Sequence, residues 1–256
     1  MAYEIKELGV GEVLDQAIQI VKNHFGLLFG IVAVAYFPTT LLINYFTPRF
    51  PLSLSPEGFE AWARATQEAQ PYTLPLTLLL GYIVAPVTNA AIVWAVANLY
   101  LGAPISILGA FKRALRMILP LFVTTLLLAL VLGLGALACI VPYFIFLFWF
   151  YFCNYVVIIE GIWGPKALSR SKEIVTGSFG TIFVLGFMTF ILQMMIAGGT
   201  LFFGNSILTA AINSAVSSCL TIFFIAVGVV VYFSCRCKSE HFDLNMLANA
   251  VAQEEG

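Results

Sequence analysis

Charge is what this chain has least of. Of its 256 residues only 10 % are Asp, Glu, Lys or Arg, 61 % are hydrophobic, and the mean hydropathy is +0.98. Soluble domains carry about 25 % charged and about 45–50 % apolar residues. So few charges cannot cover a surface facing water, and the surrounding solvent is expected to be largely lipid. The net charge is −1 and the basic residues are scattered, which argues against nucleic acid as a partner. Histidine is scarce as well: His24 and His241 are the only two, and neither stands in a legible carboxylate–serine arrangement. Catalysis needs a nucleophile, a base or a metal set in a cleft. A non-enzymatic protein without a cofactor is therefore expected.

The five cysteines lack the even spacing of a disulfide framework. Cys139, Cys153 and Cys219 sit inside apolar runs, where Cys behaves as a small hydrophobe. Cys235, Cys237 and His241 form a C-x-C pair with a nearby His. Residues two apart on a helix point away from each other, so no metal site is expected there. A cleavable leader is not expected either. "AVA" at Ala33–Ala35 looks like a cleavage site, but Glu4, Glu7, Glu12 and Asp15 precede it in place of a basic region, and the apolar run continues to Phe46.

What the chain has is length in its apolar runs. A spanning helix needs about 20 mostly apolar residues, and six segments qualify: 25–46, 76–101, 117–141, 143–159, 179–204 and 207–234. "CIVPYF" joins the third to the fourth, with Pro142 suited to a first helical position, and "FGNS" joins the fifth to the sixth. Orientation follows from the Lys and Arg positions. Ten of the twelve fall on one side of a six-span layout, and only Arg49 and Arg64 on the other, which puts both termini in the cytoplasm. The loop 47–75 is then external. Within it, "SPEGFEAWARATQEAQ" reads as a short helix capped by Ser55, with Pro56 at its first position.

Three apolar stripes recur at i, i+3, i+4, i+7 spacing. They are Val10, Val13, Leu14, Ala17, Ile18 and Val21; Ile107, Leu108, Phe111, Ala114 and Leu115; and Ala167, Leu168, Ser171, Ile174 and Val175. Each precedes a spanning run and is expected to lie in the interface, apolar face down. "QIVKNHFGLLF" aligns without gaps on "EIVTGSFGTIF", and "RALRMILPLF" shares their register. The expected fold is an all-α, six-span, single-domain membrane protein. It has cytoplasmic interfacial helices, a tail at 235–256, and a threefold repeat of interfacial helix plus transmembrane hairpin.

"GLGALA" at Gly133–Ala138 matches a dinucleotide fingerprint, but it lies within an apolar span and has no strand before it. Small residues there let helices approach closely. No Asp, Glu, Lys, Arg or His lies inside the six runs, which counts against ion-coupled transport. The polar exceptions include Asn89, Asn98, Asn154, Gln193 and Asn213. Asn89, Asn154, Gln193 and Asn213 are candidates for a polar path, and the competing reading is interhelical hydrogen bonding.

"VIIEGIWGPKALSRSKEIVTGSFG" and "VYFSCRCKSEHFDLNMLANAV" resemble two motifs of the membrane domain attached to some bacterial glycerophosphoryl diester phosphodiesterases, a domain that also occurs in stand-alone membrane proteins. The first motif falls on Glu160, Gly161, Ala167, Leu168, Arg170, Ser171 and Gly177. The second falls on Tyr232, Arg236, Lys238, Glu240, Phe242, Asp243 and Leu244. Ser234 and His241 depart from the pattern, which has an acidic and a small residue there. The resemblance implies a six-span fold and a membrane location. It does not imply the phosphodiesterase, whose barrel needs roughly 240 further residues with metal-binding carboxylates.

The functional expectation is a scaffold or accessory protein that meets membrane lipid or a protein partner through its cytoplasmic face. The alternative is a carrier or flippase for an apolar or lipid-like substrate. Glu160, Arg170, Ser171, Arg236, Glu240 and Asp243 are the expected structural clasp and docking edge, with Arg170 or Arg236 neutralising Glu160.

Overall fold

A computed structural model of the protein describes residues 8–48, 55–138, 140–200 and 207–240. Among these the chain is helical and has no strand. In order it forms α1 (Val10–Asn23), α2 (Phe25–Phe46), α3 (Pro56–Leu79), α4 (Ala85–Tyr100), α5 (Ile107–Arg116), α6 (Ile118–Ala138), α7 (Ile140–Trp149), α8 (Cys153–Glu160), α9 (Pro165–Thr176), α10 (Phe179–Thr200) and α11 (Ile207–Glu240). Four helical stretches are long and apolar enough to cross a membrane: Pro56–Tyr100, Ile118–Leu137, Tyr143–Glu160 and Ala211–Ser239. A bent pair, Val10–Asn23 with Phe25–Val34, brings the number to five. By length and composition this is a multi-pass membrane protein. Six spans were expected; over its described side chains α10 gives a shorter apolar helix, Phe179–Thr189. The "FGNS" turn lies outside the described residues.

At three points an amphipathic helix is followed, after one or two residues, by an apolar one: α1 to α2, α5 to α6, and α9 to α10. At the first junction the axis turns by 76°. What covers the amphipathic stripes differs from the expectation. Val13, Ala17 and Ile20 of α1 are fully buried against protein, as are Ala167, Ile174 and Val175 of α9. A flat apolar stripe is satisfied by either medium, and here α11 and its neighbours supply a Val- and Ala-rich surface to fill it. In α5 only Ala110 and Ala114 are buried; Leu108 is 80 % exposed and Leu115 57 %.

The region expected to be an external loop is helical over most of its length. Ser55 caps it as the sequence indicates, accepting the Gly58 N–H at 3.2 Å. The helix then runs past Pro71 and Pro75 and through a π-helical turn, Leu80–Val84, into α4. A helical proline removes one backbone bond and crowds the carbonyl four residues back. Here both prolines lie on exposed surface, where a freed carbonyl is solvated. Thr73 and Thr77 donate to the carbonyls of Ala69 and Thr73 at 3.1 and 2.8 Å, occupying neighbouring acceptors. The 45 residues of this stretch make a rod of about 68 Å at 1.5 Å per residue. A hydrocarbon core is about 30 Å thick, so a large part of the rod projects beyond it.

The core is built on α11, α2 and α4. Helices α2 and α11 run antiparallel, tied by Asn44 Nδ2 to Ser214 Oγ at 3.0 Å and Thr221 Oγ1 to the Tyr36 hydroxyl at 3.4 Å. Gly135, within "GLGALA", is a point of close approach. A Cβ there would sit 2.8 Å from Phe146 Cδ2 and 3.3 Å from Tyr143 Cα on α7, whereas Gly133 faces open space. Gly228 does the same for α8 and α11, because Tyr155 lies over it. Gly228→Ala would place a Cβ 2.8 Å from Tyr155 Cζ. We expect it to lower stability by about 1–3 kcal/mol, the usual cost of overpacking. Adding Tyr155→Phe should recover part of that loss, read as melting temperature in detergent.

Candidate functional site

The fourth apolar run is two helices. Residues 150–152 interrupt it, and the chain resumes as α8 down to Glu160. Lipid offers no hydrogen bonds, so a break inside a span leaves backbone groups that must be paired within the protein. Ser171, fully buried on α9, supplies both partners. Its hydroxyl donates to the Trp149 carbonyl at 2.9 Å and accepts the Phe152 N–H at 3.1 Å.

Two glycines then turn the chain back on itself. Gly161 caps α8 in the left-handed region, φ 74°, ψ 9°. Gly164 has φ 69° and ψ −144°, a conformation close to glycine-only, and Pro165 opens α9 immediately after it. The Gly164 N–H is held by Thr124 Oγ1 at 2.9 Å. This reversal lays α9 against α8.

Glu160 is the centre of what results. Its side chain is only 9 % exposed, and three contacts answer its charge. Arg170 Nε donates to Oε2 at 3.2 Å. Tyr232 donates its hydroxyl proton to Oε1. Arg236 Nη1 lies 3.8 Å from the same oxygen. Arg170 also reaches Glu173 through Nη1 at 3.1 Å. Partial burial works against the Arg170 charge, but hydrogen bonds and attraction from Glu173 and Glu160 outweigh it and hold its pKa above the ordinary arginine value. One carboxylate thus joins α8, α9 and α11. Sequence reasoning singled out the two arginines by charge. It did not give Tyr232 this role, because a tyrosine in an apolar run carries no signal of its own.

Aromatic rings pack beneath the carboxylate. Tyr232 meets Phe152 edge-on at 5.5 Å between centroids, and Phe233 stacks on Tyr100 at 5.3 Å. Two cations rest on tryptophans at the same end of the bundle. Lys172 Nζ is 4.1 Å from the Trp149 ring centre, and Arg113 Cζ is 4.6 Å from that of Trp94. Arg113 also donates to the Ile158 carbonyl at 3.3 Å. Ser234, where the resembling pattern has an acid, accepts the Leu8 N–H at 2.9 Å and so ties the N-terminal segment to α11.

The remaining sequence-derived candidates do not come together here. Asn154 is exposed and is met by Thr125 Oγ1, at 3.5 Å. Among the described residues Asn89 Oδ1 and Asn213 Nδ2 are buried without a partner, on α4 and α11. Gln193 and Glu240 lie on α10 and α11, but their side chains, like the whole of Asp243, fall outside the described part. Among the described residues no group of three His, Cys, Asp or Glu side chains is placed to hold a metal, and Cys153, Cys219, Cys235 and Cys237 are in no disulfide.

The fold and this site define a helical multi-pass membrane protein with a buried ionic clasp at one end. Comparison with protein-family models, with curated proteins and with solved structures finds no match for the chain.

Removing one partner of a buried ion pair typically costs about 3–5 kcal/mol, because the other charge is left uncompensated. Glu160→Ala should therefore destabilise by that order, and Glu160→Gln by less, since it retains an acceptor. Ser171→Ala should cost about 1–3 kcal/mol through the unpaired Phe152 and Trp149 backbone groups. Thermal melts of the three variants in one detergent check the ranking.

Proposed function

We propose that the chain is an integral protein of a bacterial inner membrane that works without catalysis. It is a scaffold or accessory subunit, and it offers its basic cytoplasmic face to a protein partner or to anionic lipid. The observation that carries this reading is the gathering of charge at one end. Glu160, Arg170 and Arg236 meet there, with Arg113 and Lys172 close by on Trp94 and Trp149. The apolar runs between carry no ionisable group. Charges fixed on a rigid surface position a partner; they do not conduct an ion.

Six spans built from three similar units remain our reading of the topology, supported by the three amphipathic-to-apolar helix junctions. Both termini are assigned to the cytoplasm on the Lys and Arg distribution. Kinship with the phosphodiesterase-associated membrane domain is supported by the way its two motifs face each other: Glu160, Arg170 and Ser171 come from the first, Tyr232 and Arg236 from the second. A second reading, a carrier or flippase for a lipid-like substrate, draws on the unpaired buried atoms of Asn89, Asn213, Thr88 and Ser218.

Reporter fusions at either terminus should score as cytoplasmic, and one inserted near Glu60 as external; the reverse result overturns the orientation. Protein and lipid retained through mild-detergent purification, identified by mass spectrometry, should fall several-fold in Arg170→Ala and in Arg236→Ala. Retention unchanged in both variants defeats the scaffold reading.

A further inference from the structure

Helix α5 differs from its two counterparts. The stripes of α1 and α9 are filled by protein, whereas α5 buries Ala110 and Ala114 and leaves an apolar flank, Leu108 and Leu115, in the open. One residue after α5 the chain enters α6, whose first turns expose Leu119 (68 %) and Phe122 (59 %). The medium that covers the start of that spanning helix is the one at hand for Leu108 and Leu115 as well.

The charges beside that flank are unbalanced. At 100° per residue, Lys112 and Arg116 fall next to Leu108 and Leu115 on the helix surface, and both are exposed. From 69 to 159 the chain has no Asp or Glu, and Lys112, Arg113 and Arg116 are its only Lys and Arg residues. Arg113 is engaged by Trp94 and the Ile158 carbonyl. Among the described residues Lys112 and Arg116 form no ion pair or hydrogen bond. Ser106 caps the helix, accepting the Gly109 N–H at 3.1 Å, so the arrangement is held in register.

We propose that α5 binds the headgroup of an anionic phospholipid. Lys112 and Arg116 hold its phosphate while Leu108 and Leu115 seat in the acyl layer beside α6. Two cations without an acidic counterpart among the described residues match an anion, and the exposed leucines beside them require that the anion belong to a lipid. A protein partner would have to cover a flank that lies next to the start of the spanning helix α6. The inference rests on the reading above that this end lies at the membrane surface, and it names the lipid class for that face.

The test titrates phosphatidylglycerol, against phosphatidylcholine, into the purified full chain, with lipid occupancy read by native mass spectrometry and stability by melting temperature. Phosphatidylglycerol should bind preferentially and raise the melting temperature. Lys112→Gln with Arg116→Gln should weaken its binding about 25-fold, two basic groups at ~1 kcal/mol each. The melting temperature in phosphatidylcholine should not change. Lys112→Arg should retain binding, and Leu108→Ser with Leu115→Ser should weaken it with the cations intact. Equal phosphatidylglycerol affinity in wild type and the double Gln variant overturns the proposal. So does equal stabilisation by inorganic phosphate, which would make the site an anion site without lipid character. Partner retention in Arg170→Ala and Arg236→Ala is a separate measurement on separate residues, so each reading can fail alone.

Discussion

A carboxylate that is nine-tenths buried at the end of an apolar bundle cannot stay charged alone, and much of this fold is arranged around that constraint. Glu160 ends α8, and its compensating groups come from elements ten and more than seventy residues away. Arg170 reaches it only because Gly161 and Gly164 reverse the chain in conformations that L side chains resist. Tyr232 and Arg236 reach it only because α11 returns to the same end. The ion pair therefore acts less as a source of stability than as a selector. A packing that moves α9 or α11 by a turn leaves a charge in low dielectric, and that cost excludes it.

Much of the architecture was legible because the hydrophobic period changes where the helices change. The stripes ending at Val21, Leu115 and Val175 give way to continuous apolar runs, and the structure breaks its helices close to those points. Three features were not legible, each for a physical reason. An apolar stripe states that it must be covered and not by what, so the burial of Val13 and Ile174 in protein could not be told from lipid contact. Pro71 and Pro75 read as breakers, yet on an exposed face their freed carbonyls are solvated and the helix continues. The break at 150–152 has neither Gly nor Pro. It is sustained from outside by Ser171, nineteen residues on, and a contact across that separation leaves no local trace. Within the site, charge alone pointed to Glu160, Arg170 and Arg236, while the Tyr232 hydroxyl was hidden in an apolar run.

The two motifs that flank α10 and α11 also take on a common meaning. They are far apart in sequence and meet at one carboxylate. The first supplies Glu160 and its partner Arg170, and the second adds the Tyr232 hydroxyl and the Arg236 charge to the same carboxylate. Around them the polar side chains that the chain does contain are spent on backbone groups, Ser171 at the broken helix, Thr124 at Gly164 and Ser234 at Leu8. Among the described residues the exposed Lys112 and Arg116 have no ion pair or hydrogen bond of this kind.

The long rod from Pro56 to Tyr100 has a mechanical consequence. One end is packed among α2, α5 and α11, with Tyr100 stacked on Phe233 directly beside Tyr232. The other end has no buried side chain. Between them lies the π-helical turn Leu80–Val84, whose wider winding departs from the regular i→i−4 ladder. The arm is steadied where Tyr72 stacks on Phe46 of α2 at 5.5 Å, and beyond that contact it is a lever with its compliant section near the middle of the rod. A sideways load on the arm is shared between that contact and the turn. What the turn does not absorb arrives as torque at Tyr100, one aromatic ring away from the residues that neutralise Glu160.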